Sequence, residues 1–374
     1  MNYLMEKKIS LLDREAFHQI LLWAVECNAS DVHIQPFMPI YAQINQKLEK
    51  IHNLTPNESE TSLLVNSLFG DHAIGVLAQG NEGLNDDYSI KVDRFNKQRF
   101  RLNATPCHVQ GADGVQITAR VIKQEPANIV DLGIEQEIID TLKLRQGLVL
   151  VTGTMGTGKT TLLSALVRHM LEDKGLGRKI LTAESPIEYV YDSVEWKSNS
   201  FVSQLSIPRQ LKTFHAAVVE ATRRMPHVFV LGEAREIDTF RAVVQASQLG
   251  MLVLTTLHTN SAAETLNRII NQFPESEQSF QKANIVDSLR MIVSQTLLPS
   301  TQGGLVALRE ILPLNEISVR NELMKTPVEN ISSVARSLVT EHGKSMYADA
   351  RIKYDQGLIT DYHLDYVKYS FGEY

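Results

Sequence analysis

Residues Leu148–Leu163 read LVLVTGTMGTGKTTLL: four apolar residues, three glycines threaded with threonines, a lysine, then more threonines and leucines. Gly153-Thr154-Met155-Gly156-Thr157-Gly158-Lys159-Thr160 satisfies GxxxxGK(S/T) between an expected strand and an expected helix, the setting in which that motif carries meaning. Glycines let the backbone curl so that successive N–H groups face one anion, and the helix N-terminus adds partial positive charge. Lys159 is expected to reach the β- and γ-phosphates of ATP as an exposed point charge, and the Thr160 hydroxyl to hold Mg²⁺. Thr161 completes the set of loop residues expected at the nucleotide.

Outward from this loop the pattern repeats. KILTAE (179–184), VFVLGE (228–233) and MLVLTTLH (251–258) are short apolar runs that end in polar or acidic residues, with helical sequence between them. That alternation implies an α/β domain with a parallel sheet, whose ligand lies outside the carboxyl ends of its strands. VFVLGE has Gly232 where a Walker B aspartate would face the metal, but Glu233 follows and can orient an attacking water as catalytic base. With that aspartate missing, Glu184 and Glu188 in LTAESPIEYV are candidates for the metal side, Glu184 directly at its strand end. Ser185-Pro186-Ile187-Glu188 also fits a capping box with proline at the first helical position, in which Glu188 would only satisfy a backbone N–H. His258, just past a strand, can report the γ-phosphate to a neighbouring subunit or serve as a structural hydrogen-bonding residue. Ser261 with Glu264 forms a second expected capping box.

The chain has 374 residues, 43% hydrophobic and 21% charged, which suits two globular domains. A net charge of −6 and a pI near 6.0 leave no global basic field for gripping nucleic acid by its phosphates. Cys27 and Cys107 lie far apart without CxxC or metal-like spacing, so buried packing residues in a reducing compartment are expected. No signal-peptide core and no apolar window of roughly 18 residues occurs, so a soluble cytoplasmic chain is expected. Before the loop, a helix over Leu11–Cys27 is followed by alternating segments at DVHIQPFMPIYAQINQKLEKI, YSIKVDRF, QRFRLNA and GVQITARVI, a small mixed α/β domain. KQEPANIVD, residues 123–131, marks the boundary, and helices are expected beyond Pro313.

ASDVHI (Ala29–Ile34), RFRLN (Arg99–Asn103), the glycine loop, LTAESPIEYV and VLGEAREIDTFRAVVQASQLGMLVLTTLHTNSAAETLNRIINQFP together resemble the secretion and pilus traffic ATPases, the PilT-like group. Similarity is greatest to its DotB and TraJ type, serving type IVB secretion and conjugation. IVSQTL (Ile292–Leu297) and VRNEL (Val319–Leu323) extend the resemblance into what are expected to be C-terminal helices. The resemblance implies a PAS-like domain over 1–122, a linker over 123–131, and a RecA-like P-loop ATPase domain over 132–374 with a helical part at 315–374. It implies a homo-hexameric ring with ATP and Mg²⁺ between subunits, peripheral to the cytoplasmic face of the inner membrane. Its partners would be a secretion or conjugation core complex and associated ATPases, without direct nucleic-acid binding. Glu233 then stands as the catalytic glutamate, Glu184 and Glu188 as Asp-box acids and His258 as the His-box residue, while Arg235, Arg223, Arg99, Arg101 and Arg120 line or reach the nucleotide. Two departures, Ser185 after the first Asp-box glutamate and Val219 where pilus members often carry arginine, count against pilus-type retraction.

Other functions are weighed beside this one. A type IV pilus retraction motor shares the motifs. A RecA-like nucleic-acid translocase would use KVDRFNKQRFRLN, with Lys91, Arg94, Lys97, Arg99 and Arg101 near Phe95 and Phe100. Strand alternation puts Arg99 and Arg101 on one face and Phe100 and Leu102 on the other, so the aromatics are expected to fill a core. The arginine face is either a source of arginine fingers or an ordinary solvated surface. A nucleotide sensor without turnover is disfavoured by the intact Lys159, Thr160 and Glu233.

Overall fold

In the computed structural model, which describes residues 3–44, 47–80, 82–93, 97–122, 125–197 and 199–372, Asp13 starts the first helix. Its carboxylate accepts from the Ala16 N–H at 2.8 Å, and α1 runs Arg14–Glu26. Three strands follow, β1 (Ala29–Ile34), β2 (Ile40–Ile44) and β3 (Lys47–His52), then α2 (Glu58–Phe69) and α3 (Ala73–Ala78). A reciprocal Asn57–Glu60 capping box opens α2. Strands β4 (Leu84–Lys91), β5 (Lys97–Val109) and β6 (Ala112–Ile122) complete an antiparallel sheet of order β3-β2-β1-β6-β5-β4.

Alternation along β5 is as expected: Phe100, Leu102 and Ala104 are buried, while Arg99, Arg101 and Asn103 point the other way. Phe100 packs with α1 residues such as Phe17 and Ile20 in the core of this unit, so it is a packing residue. Arg94 and Phe95, and Lys123 and Gln124 of the expected linker, lie outside the described residues. Cys27 and Cys107 are free thiols and half-buried rather than buried.

Contacts divide the chain into two units, Met1–Gln124 and Glu125–Tyr374. The second unit begins with α4 (Gln136–Thr141), β7 (Gly147–Thr152), α5 (Lys159–Glu172), β8 (Lys179–Glu184), β9 (Phe201–Ser206), α6 (Phe214–Arg224) and β10 (Val228–Leu231). It continues with α7 (Ile237–Gln248), β11 (Leu252–Leu257), α8 (Ala262–Asn271), α9 (Glu275–Ser288), β12 (Leu289–Pro299) and β13 (Leu305–Pro313). Helices α10 (Ile317–Lys325), α11 (Ile331–His342), α12 (Met346–Asp355) and α13 (Asp361–Phe371) follow, with a short 3₁₀ turn at Val328–Asn330. The sheet order is β13-β12-β7-β11-β10-β8-β9, parallel except where β13 pairs with β12.

Strand β7 shows why its sequence is continuously apolar. Leu148 and Leu150 pack toward the core of α6, α7 and α8, and Val149 and Val151 toward that of α4 and α5. A strand covered on both faces has no polar side. The four expected strands are β7, β8, β10 and β11, and helices do follow Pro313. IVSQTL, however, belongs to the long strand β12 and not to a helix. A short buried apolar run has no periodicity that separates the two, and pairing with β7 and β13 decides it.

Candidate active site

Gly156 and Gly158 take left-handed backbone conformations, φ +80° and +81°, and curl the chain into the first turn of α5. No side chain caps α5, so its leading N–H groups are left to an anion. Lys159 is only 8% exposed, contrary to the expectation of an exposed point charge. Its Nζ donates to the carbonyls of Gly153 at 2.7 Å and Thr154 at 2.6 Å. Burial lowers its pKa below the usual lysine value, with Glu233 acting in the opposite direction.

The parallel sheet delivers the strand ends to this loop. A cleft of about 460 Å³ is lined by Met155, Gly156, Thr157, Gly158, Lys159, Thr160 and Thr161 together with Glu184, Ser185, Pro186, Glu188, Phe214, Gly232, Glu233, Arg235, Thr256, His258 and Leu297. Its volume suits a small-molecule ligand. Arg235 Nε lies 2.7 Å from a Glu233 carboxylate oxygen, and His258 Nε2 lies 3.8 Å from the same oxygen. Burial lowers the His258 pKa, and the charges of Lys159 and Arg235 add to that against the pull of Glu233. A neutral imidazole follows at neutral pH.

Glu184 closes β8 and accepts from the Thr182 hydroxyl at 2.6 Å and the Gln204 amide at 3.3 Å. Burial raises its pKa, although those bonds and the Glu188 backbone N–H favour the carboxylate. A Cβ on Gly232 would stand 3.3 Å from the Ala183 carbonyl oxygen and 3.4 Å from Glu184 Cα. The end of β8 therefore crowds the place where a Walker B side chain would grow.

The expected helix after Pro186 does not form, and residues 187–190 have no regular structure. Ile187, Tyr189, Val190 and Tyr191 are weak helix formers, and Tyr191 and Val194 are buried against the sheet. Glu188 is thus no helix cap, and it lines the cleft. The second expected box forms in half: Ser261 accepts from the Glu264 N–H at 3.1 Å, but the Glu264 carboxylate takes the Asn260 N–H at 2.9 Å.

Among the described residues no three His, Cys, Asp or Glu side chains form a metal cage. Thr160, Glu184, Glu188 and Glu233 do line one cleft, which fits Mg²⁺ because that ion keeps water and phosphate oxygens as most of its ligands.

The remaining expected arginines are not among the cleft-lining residues. Arg223, on the last turn of α6, is bonded to Glu220 at 2.6 Å and is not among the cleft-lining residues. Phe214, at the other end of α6, does line it, and nine residues of helix amount to roughly 14 Å. Arg99, Arg101 and Arg120 stand on the first unit's sheet, Arg101 opposite Arg120 in register. Arg99 lies 3.7 Å from Asp87, and Arg120 Nε donates to Asp31 at 2.8 Å.

Sequence reasoning passed over Gln204, which supports Glu184, and Gln295, which donates to the Thr157 carbonyl at 2.6 Å. The signal for Gln295 was a polar amide inside the apolar run of β12.

The profile of the family described as type II/IV secretion system protein matches residues 6–348. The type IV pilus retraction ATPase PilT of Pseudomonas aeruginosa is 31% identical over 320 residues, 85% of this chain and 88% of that protein. The crystal structure of the Legionella pneumophila ATPase DotB superposes with a TM-score of 0.86 at 35% identity, covering 97% of this chain and 98% of that one. The pilus retraction motor PilT with bound ADP gives 0.80 at 28% identity, covering 96% of each chain. The chain has the mixed α/β fold of these ATPases and belongs to the type II/IV secretion system protein family, within its PilT-like group.

Proposed function

We propose that the chain hydrolyses ATP as a hexameric ring that powers a type IVB secretion or conjugal transfer apparatus. One observation carries the chemistry: Lys159 of the glycine loop and Glu233 at the end of β10 line a single cleft. The loop and the first turn of α5 bind the phosphates. Lys159 exchanges the Gly153 and Thr154 carbonyls for phosphate oxygens and balances charge there. Glu233, freed from Arg235, orients the attacking water and takes up its proton. Arg235 is then available to the γ-phosphate, and neutral His258 can hydrogen-bond to it. Mg²⁺, held by the Thr160 hydroxyl with Glu184 and Glu188 behind it, would neutralise developing charge on the phosphate oxygens.

In this proposal residues 1–122 form a PAS-like domain and 132–374 a RecA-like one. Arg99, Arg101 and Arg120 reach the nucleotide of a neighbouring subunit, Arg99 and Arg120 leaving Asp87 and Asp31 to do so. Arg223, outside the cleft of its own chain, would have to act in the same way. The ring sits on the cytoplasmic face of the inner membrane, with the secretion core complex and its associated ATPases as partners and without direct nucleic-acid binding. Among the described residues no helix is long and apolar enough to cross a membrane.

Membership in the type II/IV secretion system protein family, with similarity to the ATPase DotB over 97% of the chain, supports the secretion role. A second reading, pilus retraction, is supported by the PilT relative and the PilT motor structure. Deleting the gene in its host separates them. Loss of substrate export or of conjugal transfer with pili unaffected is expected, and hyperpiliated, non-retracting cells with normal export would favour the second reading.

A further inference from the structure

Behind the phosphate loop, away from the cleft, lies a buried polar chain that the proposed chemistry does not use. Gln295 of β12 is 3% exposed, and its Nε2 donates to the Thr157 carbonyl at 2.6 Å. Its Oε1 accepts from Arg309 Nε at 2.8 Å. Arginine only donates, so the amide has one orientation: the oxygen faces Arg309 and the nitrogen faces the loop. The loop is also moulded on the same residue. A Cβ at Gly153 would collide with the Gln295 carbonyl oxygen, and one at Gly158 would stand 2.9 Å from Gln295 Nε2.

Arg309 is itself held from behind. Its guanidinium donates to Glu135 at 3.0 Å and to the carbonyls of Gly133 and Leu132 at 2.9 and 3.1 Å. Lys344 bridges Glu135 at 2.7 Å and Asp349 at 2.6 Å, and Asp349 accepts the Arg309 backbone N–H at 2.9 Å. Two cations and two carboxylates balance, Arg309 and Asp349 buried and Glu135 and Lys344 half-buried, and a satisfied network of this kind is rigid.

We infer that Gln295 is a positioning residue for nucleotide binding: it pins the Thr157 carbonyl away from the phosphate side of the loop, and Arg309 sets the direction in which it does so. This rests on the ATPase reading of the loop. An anion cradle needs N–H groups turned inward and carbonyls turned outward. Without the amide donor the Thr157 carbonyl is a buried acceptor with no partner there, and the loop spends part of its time in forms that do not bind phosphate. Glu233, Arg235 and His258 are untouched, so chemistry after binding is preserved and the cost falls on affinity.

The test compares the full-length parent with Gln295→Leu, Gln295→Glu and a control, Lys282→Met. Lys282 is a buried lysine that donates to the Met324 and Thr326 carbonyls and is not among the cleft-lining residues. ADP and MgATP binding and steady-state hydrolysis are measured well below each unfolding midpoint. Both Gln295 variants are expected to bind at least about tenfold more weakly, with KM raised and kcat within a few-fold of the parent. Gln295→Glu keeps the volume and the bond to Arg309 and, as the carboxylate that Arg309 favours, has no proton to donate, while Gln295→Leu removes the donor without adding charge, so a loss shared by both reports on the donor. Lys282→Met should lower the midpoint and leave affinity unchanged. Parental affinity in either Gln295 variant, or an equal affinity loss in Lys282→Met, overturns the inference alone. A parent chain that binds no nucleotide overturns the ATPase reading and the inference with it.

Discussion

At the scale of single residues, the charged groups of the cleft are held by neighbours within it. Lys159 rests on two carbonyls and Glu233 on Arg235. Lys159→Ala should therefore abolish nucleotide binding while the loop's own turns survive. Calorimetry should detect no ATP binding, with an unfolding midpoint within about 2–4 °C of the parent, the shift that roughly 1 kcal/mol produces in a domain of this size. A midpoint drop far beyond that would make Lys159 a structural residue first. Glu188 is a sharper case, because its capping role has been removed by the structure. Glu188→Gln should raise the Mg²⁺ concentration needed for half-maximal hydrolysis and barely move the melting curve. The reverse pattern would return it to a structural role.

Among elements, those whose sequence carries a local signal were legible and those defined by distant partners were not. Strands β7, β8, β10 and β11 announce themselves as apolar runs ending in polar residues, and α1 as the helical stretch expected over Leu11–Cys27, whose start the Asp13 cap sets at Arg14. Asp13→Ala should cost about 0.5–2 kcal/mol in chemical denaturation of the first unit. Strand β9 is a half-buried edge with weak alternation, and β12 is buried on both faces, so neither could be told from its own residues. The Gln295–Arg309–Glu135 chain joins positions 14 and 174 residues apart, which no local pattern reports. Its charges predict how the second unit responds to pH. Burial raises the Glu135 pKa, but Arg309 and Lys344 outweigh it and leave the carboxyl below its ordinary value of 4.5. A depressed acid adds stability above its unfolded pKa and loses it as pH falls through the folded one. Burial lowers the Lys344 pKa, but Asp349 and Glu135 raise it above 10.5, so its contribution is complete below that value and is lost as pH rises through the folded one. Thermal midpoints should fall toward acid more gently in Glu135→Gln than in the parent. Identical slopes would show that this carboxylate contributes nothing to acid stability.

For the whole molecule, the glycine loop and the strand ends were readable because one topology gathers them, whereas the proposed ring would depend on surfaces between copies. Arginines supplied in trans are worth about 10³–10⁵ in related nucleotide hydrolases. Specific activity should rise with protein concentration as rings form. Mixing a Lys159→Ala chain with an Arg99→Ala, Arg101→Ala, Arg120→Ala chain should restore part of the activity that each lacks. Full turnover by the triple variant alone would reduce those arginines to the acid-paired strand residues seen for Arg99 and Arg120.

The central claim is that ATP is hydrolysed in the cleft where Lys159 meets Glu233, and Glu233→Gln tests it most directly. Purified parent and variant are compared for MgATP binding and for phosphate release. The variant is expected to bind MgATP as the parent does, to lose about 10²–10⁴ in turnover, and to be isolated with ATP rather than ADP in the cleft. Hydrolysis by the variant at the parent rate would contradict the claim and move the base elsewhere, with Glu184 as the next residue to replace.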